Sequence, residues 1–236
     1  MAFSAATGIT AHAADAIRQE TIQFQKGASE ATIKGVLKGD QTVDYRVRAG
    51  AGQTLVVALS KSNSQNYFNV LPPGSVDVAM FVGQDGGGYK GVLPIDGDYT
   101  VRVYLMRPAA RRNETSNYKL TVGITGKPLA PVPAAKDALI PGTRFHASAT
   151  VACTPPFDSK PQQCEAFVIR RNFDGTATVE VRGANGLKRQ ILFVKGEPTA
   201  SDAMEAMTFA REGDGTVVKF GADERYALPD ALVRGG

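Results

Sequence analysis

Apolar and polar residues alternate with a period of two through most of the first half of the chain. In DYRVRAG, Tyr45, Val47 and Ala49 share one face and Arg46 and Arg48 the other. QTLVVALS aligns Leu55, Val57 and Leu59, and VDVAMFV aligns Val78, Met80 and Val82. GDYTVRVYL puts Tyr99, Val101, Val103 and Leu105 on one side, and NYKLTVGI does the same with Tyr118, Leu120, Val122 and Ile124. A period of two belongs to a strand with one buried face. Short strands of this kind, separated by Gly, Pro and Asn turns, predict an antiparallel β-sandwich over residues 20–125. In the second half, TRFHASATVAC, EAFVIRR, TATVEVRG, KRQILFV, MTFAREG and TVVKFG predict six further strands, several joined by hairpin-sized links such as FDG, GANG and GDG. SDAMEAM, 201–207, is the one helix-compatible piece and predicts a single turn. The expected fold is therefore all-β: an antiparallel sandwich followed by a second small antiparallel all-β domain, 143–236. Residues 126–142, GKPLAPVPAAKDALIPG, contain four prolines and no periodicity, which predicts a stiff, extended linker.

Composition narrows the class. Of 236 residues, 43% are hydrophobic, enough for one large or two small cores. The net charge of +4 comes without a basic run or a nucleic-acid-binding motif, so no nucleic acid partner is expected. No stretch approaches the roughly 20 apolar residues of a membrane span. The start, residues 1–14, is rich in small residues, and Ala11-His12-Ala13 has the form of a signal-peptidase site. It is expected to be the remnant of a signal peptide, the other reading being a disordered tail. Cys153 and Cys164 flank TPPFDSKPQQ, a loop with three prolines, and in an exported chain this predicts a disulfide. Together these features predict a periplasmic or secreted protein.

Candidate catalytic chemistry is sparse. Beyond His12 the sequence holds His146 alone, which falls on a predicted strand beside Phe145 and reads as a strand-face histidine rather than a catalytic base. No G-x-S-x-G, H-E-x-x-H or P-loop pattern occurs. GQDGGGYKG, 83–91, reads as a flexible hairpin loop. Asp96 and Asp98 read as turn formers in IDGDY, with a calcium site as the lesser alternative. The expectation is a protein that binds rather than an enzyme, with no cofactor and no metal. One connection is too long for a plain hairpin of two to five residues: MRPAARRNETS, 106–116, which carries Arg107, Arg111 and Arg112 with Glu114 the one acid nearby in sequence. A second unusual segment, SQNYFNVLPPGS at 64–75, holds Tyr67, Phe68 and a Pro pair. If both lie at the same end of the sandwich they place Arg beside Tyr, residue types enriched at binding hot spots. The plainer alternative is a solvated loop.

VDYRVRAGAGQTLVVAL and GDYTVRV resemble the bacterial pre-peptidase C-terminal type of sandwich. The combination of NYFNVLPPGS with GDYTVRVYLMRPAARRNETSNYKLTVGI resembles the periplasmic inhibitors of g-type lysozyme. That resemblance implies an arginine-bearing loop, between the last two strands, which enters the lysozyme's active-site cleft. The family pattern of two arginines separated by three residues, then a basic residue and Asn, falls on Arg107, Arg111, Arg112 and Asn113. Tyr67 is the further candidate. Family inhibitors are about the size of the first domain, so the linker and second domain are a departure. The second domain resembles a small Cys-paired module of secreted bacterial proteins, a likeness that implies no function. The rival reading is an envelope accessory module that binds glycan, such as peptidoglycan, or a protein partner.

Overall fold

The computed structural model describes residues 17–85, 87–158 and 160–235. The expected signal-peptide remnant, 1–14, lies outside the described residues. The first unit consists of β1 (Arg18–Thr21), β2 (Glu30–Lys38), β3 (Thr42–Ala49), β4 (Thr54–Lys61), β5 (Asn66–Leu71), β6 (Phe81–Val82), β7 (Gly88–Val92), β8 (Gly97–Leu105), a helical turn α1 (Arg107–Arg111) and β9 (Thr115–Thr125). The strands form two sheets, ordered β1-β3-β8-β5-β6 and β2-β9-β4-β7. Among the described residues every pairing in them is antiparallel except β1 with β3, which is parallel.

The alternation read from the sequence is the packing of this sandwich. Tyr45, Val47, Leu55, Val57, Tyr99, Val101, Val103, Leu105, Tyr118, Leu120, Val122 and Ile124 are all buried between the sheets. Buried tyrosine hydroxyls need partners. Tyr45 and Tyr118 supply each other's across the two sheets at 2.7 Å, and Tyr99 donates to the Ile95 carbonyl at 2.8 Å. Gly35 lies opposite Tyr118 on β2, and the tyrosine ring occupies the space a Cβ would need.

Two expectations here are corrected. VDVAMFV is not a strand along its length: pairing is confined to Phe81–Val82, and Val78 is exposed. The prolines before it donate no backbone hydrogen bond, and Ser75 closes a turn by bonding both the N–H and the carbonyl of Val78. The Gly-rich stretch 83–91 is not a loop throughout. A short 3-10 turn, Gly83–Asp85, leads into β7, where Tyr89 packs on Phe81 with ring centroids 5.2 Å apart. β1 and β2 went unread in the sequence.

The second unit is one antiparallel sheet: β10 (Ala147–Thr154), β11 (Gln162–Asn172), β12 (Thr176–Arg182), β13 (Lys188–Val194), β14 (Glu197–Ser201), β15 (Met207–Glu212), β16 (Gly215–Phe220) and β17 (Glu224–Pro229). Its order, β14-β13-β12-β11-β10-β17-β16-β15, curls until the two edge strands meet again, giving a nearly closed barrel. α2 (Asp230–Arg234) inserts Leu232 and Val233 into its core. All six strands read from the sequence are present, and β14 and β17 are additional. SDAMEAM forms no helix. The Asp202 carboxylate accepts from the Gln190 N–H at 2.9 Å and from Arg189 at 3.0 Å, which holds the segment against β13. Cys153 and Cys164 form the expected disulfide. His146 lies one residue before β10, buried, its ring accepting from the Arg170 N–H at 3.0 Å and bonded to the Val132 carbonyl at 2.9 Å.

Residues 126–142 contain no strand, yet they are tied to both units. The Leu129 N–H donates to Ala51 and the Val132 N–H to Arg170, each at 2.8 Å. Arg170 pairs with Asp137 at 2.9 Å. Arg171, wholly buried, reaches Asp96 of the sandwich at 2.8 Å, Thr178 of β12 at 3.0 Å and the Leu129 carbonyl. Thr178 also donates to the Pro94 carbonyl at 2.7 Å.

Candidate functional site

The chain between β8 and β9 is a helical turn rather than an open loop of eleven residues, because Thr115 and Ser116 already belong to β9. Pro108 near its start presets the backbone for a helix, and Ala109 is buried against the sandwich core. The turn is closed at its end by Asn113 in the left-handed conformation, φ 54°. The Asn113 N–H donates to Ala110 at 2.9 Å and the Glu114 N–H to Ala109 at 3.1 Å, the paired bonds of a Schellman stop. Asn113 therefore has a structural task, whatever else it touches.

Neighbouring turns hold this one in place. The Met106 N–H donates to the Gln65 carbonyl and the Gly39 N–H to the Glu114 carbonyl, each at 2.9 Å. The Asn63 amide donates to Glu114 at 2.8 Å. Three turns, β2–β3, β4–β5 and β8–β9, thus form one end of the sandwich. Hydrogen bonds from Asn63 and Arg112 hold the Glu114 carboxyl below the ordinary carboxylate range.

The arginines divide into two kinds. Arg112 is latched to Glu114 at 2.6 Å, so one of the three cations is neutralised from within. Arg107 and Arg111 are exposed, and among the described residues neither forms an ion pair. Four residues apart on a helical turn, they share a face. Tyr67, the second residue of β5, lies at this same end, directly opposite Tyr104 of β8, with the Lys61 ammonium 3.9 Å from its ring centroid. Burial pushes the Lys61 pKa down. Beneath it Asn66 is buried, its amide donating to Ser116 at 2.9 Å while its Oδ1 has no partner among the described residues. The 64–75 segment does not gather at this end as a unit: Phe68 enters the core, and the Pro72-Pro73 turn lies at the far end of β5. Lys61, Gln65 and Asn63 were missed in the sequence, where nothing distinguishes them from ordinary turn residues.

The other candidates are structural. Asp96 accepts from the Ala51 N–H at 3.0 Å and from Arg171, and Asp98 pairs with Arg48 at 3.3 Å. Among the described residues no group of three or more His, Cys, Asp or Glu is placed to hold a metal.

No family model matches the chain. Over 106 residues it is 31% identical to the inhibitor of g-type lysozyme of Escherichia coli (strain K12), covering 44% of this chain and 78% of that protein. Among solved structures, Aeromonas hydrophila PliG, a periplasmic lysozyme inhibitor of g-type lysozyme, is 38% identical, with 48% of this chain and all of that one covered and a TM-score of 0.45. Salmonella Typhimurium PliG is 29% identical, with 46% and 98% covered and a TM-score of 0.37. Each match covers less than half of this chain.

Proposed function

Because this chain belongs to the family of inhibitors of g-type lysozyme, we propose that it acts in the periplasm or outside the cell as an inhibitor of such a lysozyme, and that the α1 turn is the part that enters the enzyme's cleft. The observation that carries the second step is the pair Arg107 and Arg111, exposed on one face of a turn that the scaffold fixes on three sides. A glycosidase works through carboxylates that flank the bond it cleaves. A guanidinium offers a planar fork of donors that fits a carboxylate. Two of them, set one helical turn apart, occupy the place of the sugar and pair with those acids. Because the turn is already closed and anchored, little chain ordering accompanies binding. Tyr67 and Lys61 extend the contact beside the cleft mouth. Arg112 and Asn113 act on the turn itself, one as a latch and one as a stop.

The test is lysis of a peptidoglycan suspension by a g-type lysozyme with and without the protein. The wild type is expected to inhibit. Removing a buried charge partner at an interface costs about 2–5 kcal/mol, so Arg107→Ala with Arg111→Ala is expected to abolish inhibition while the protein stays folded. Failure of the wild type to inhibit sinks the reading. Co-sedimentation with peptidoglycan in the absence of inhibition favours a wall-binding accessory module in its place.

A further inference from the structure

A second concave surface lies at the opposite end of the sandwich from Arg107 and Arg111. The Pro72–Ala79 turn and the start of β8 form one wall, and the curled sheet forms the other, enclosing about 970 Å³. Eight carboxylates and four cations line it, in a protein whose net charge is +4. Much of that charge is internally matched. Arg48 pairs with Asp98, Arg144 with Glu180, and Arg189 with Asp202 and Glu224. Among the described residues, Asp77 on the sandwich wall and Glu205 and Asp223 on the sheet wall form no ion pair, and Lys188 is the one lining cation in the same position. The cleft is therefore an acidic patch on a basic molecule.

Its walls are also apolar on both sides. Val76 and Val78 face it from the sandwich and Phe157 and Met204 from the sheet, all of them exposed. Phe157 is 94% exposed and sits in the left-handed region at φ 63°, a conformation that bulky residues rarely adopt. The loop that presents it is closed at its base by the Cys153–Cys164 disulfide. Gln190 is among the lining residues and is only 6% exposed. Its amide nitrogen donates to Glu180 at 2.7 Å, while its Oε1 meets no donor among the described residues. A buried acceptor without a donor is uncommon and calls for one.

We propose that this cleft is a second binding site, which takes an extended peptide segment of a partner protein carrying basic side chains between apolar ones. Basic side chains answer Asp77, Glu205 and Asp223. Apolar ones cover Val76, Val78, Met204 and Phe157. A neutral oligosaccharide leaves the three carboxylates unmatched and the aliphatic walls wet, so the charge pattern selects the peptide.

The experiment uses the full chain and a dye-labelled hexapeptide, acetyl-Leu-Lys-Val-Lys-Phe-Lys-amide, followed by fluorescence anisotropy. Its counterpart with Glu in place of Lys is the control, and tri-N-acetylglucosamine is the competitor. The basic peptide is expected to bind, and the acidic one to bind at least about tenfold more weakly, since like charges at an interface are excluded. The triple variant Asp77→Asn, Glu205→Gln, Asp223→Asn changes exposed side chains only. It is expected to keep its melting temperature and its lysozyme inhibition while losing about tenfold or more in peptide affinity. Arg107→Ala with Arg111→Ala is expected to bind the peptide normally, which separates this site from the inhibitory one. Equal binding of both peptides, an unaffected triple variant, displacement by the sugar, or no binding below about 1 mM overturns the proposal.

Discussion

At the tip of the sandwich, Arg107 and Arg111 are exposed and form no ion pair among the described residues, while inside the curled sheet Arg189 lies buried between two carboxylates. Arg189 donates in bidentate fashion to Glu224 at 2.6 and 2.9 Å and reaches Asp202 at 3.0 Å, and Tyr226 adds a bond to Glu224 at 2.9 Å. The same side chain is satisfied inside the fold in one region and stands without an ion pair among the described residues in the other. A buried guanidinium cannot be released without stranding its acids, so it serves specificity of folding. An exposed one is nearly neutral for stability and is therefore open to selection for binding.

The sharpest way to break this contrast is Arg189→Ala. It leaves Asp202 and Glu224 buried without their cation and is expected to cost about 3–5 kcal/mol, read from urea unfolding. Arg107→Ala with Arg111→Ala, measured alongside, is expected to shift stability by less than about 0.5 kcal/mol. Next in size is Cys153→Ser with Cys164→Ser, which opens an 11-residue separation and is expected to remove about 3 kcal/mol or less on the chain-entropy account. Asn113→Ala forces a Cβ residue without Asn's tolerance into a left-handed position and is expected to cost about 1–2 kcal/mol, with Asn113→Gly close to neutral. The smallest effect concerns pH. Burial pushes the Glu180 carboxyl up, but hydrogen bonds from Gln190 and Arg182 outweigh it and leave its pKa lowered. A depressed carboxylate stabilises the fold above the unfolded value and loses that contribution as pH falls through the lower, folded one. Glu180→Gln is therefore expected to flatten the acid limb of the stability profile below about pH 4.

The sandwich was legible wherever one face is buried and the other wet. GDYTVRVYL and NYKLTVGI are read correctly because the period-2 signal coincides with real burial of Tyr99 through Leu105 and of Tyr118 through Ile124. VDVAMFV carries the same pattern and fails, because the Pro72-Pro73 turn takes that chain out of the sheet. β14 and β17 were missed because EPTAS and ERYALP contain Pro and charged residues, although Glu224 is buried in pairing with Arg189. At the tip, the run of arginines was visible, but the latch was not: Glu114 answers to Arg112 and to Asn63, 51 positions earlier in the chain. No local pattern encodes that partnership, nor the left-handed stop at Asn113.

Arg171 carries a mechanical implication for the whole chain. Its guanidinium touches Asp96 on the first unit, Thr178 on the second and the Leu129 carbonyl on the strap between them. Neither half can come apart without stranding that charge, so heat is expected to melt the two as one cooperative block, seen as a single calorimetric peak. Arg171→Met is expected to split that peak into two.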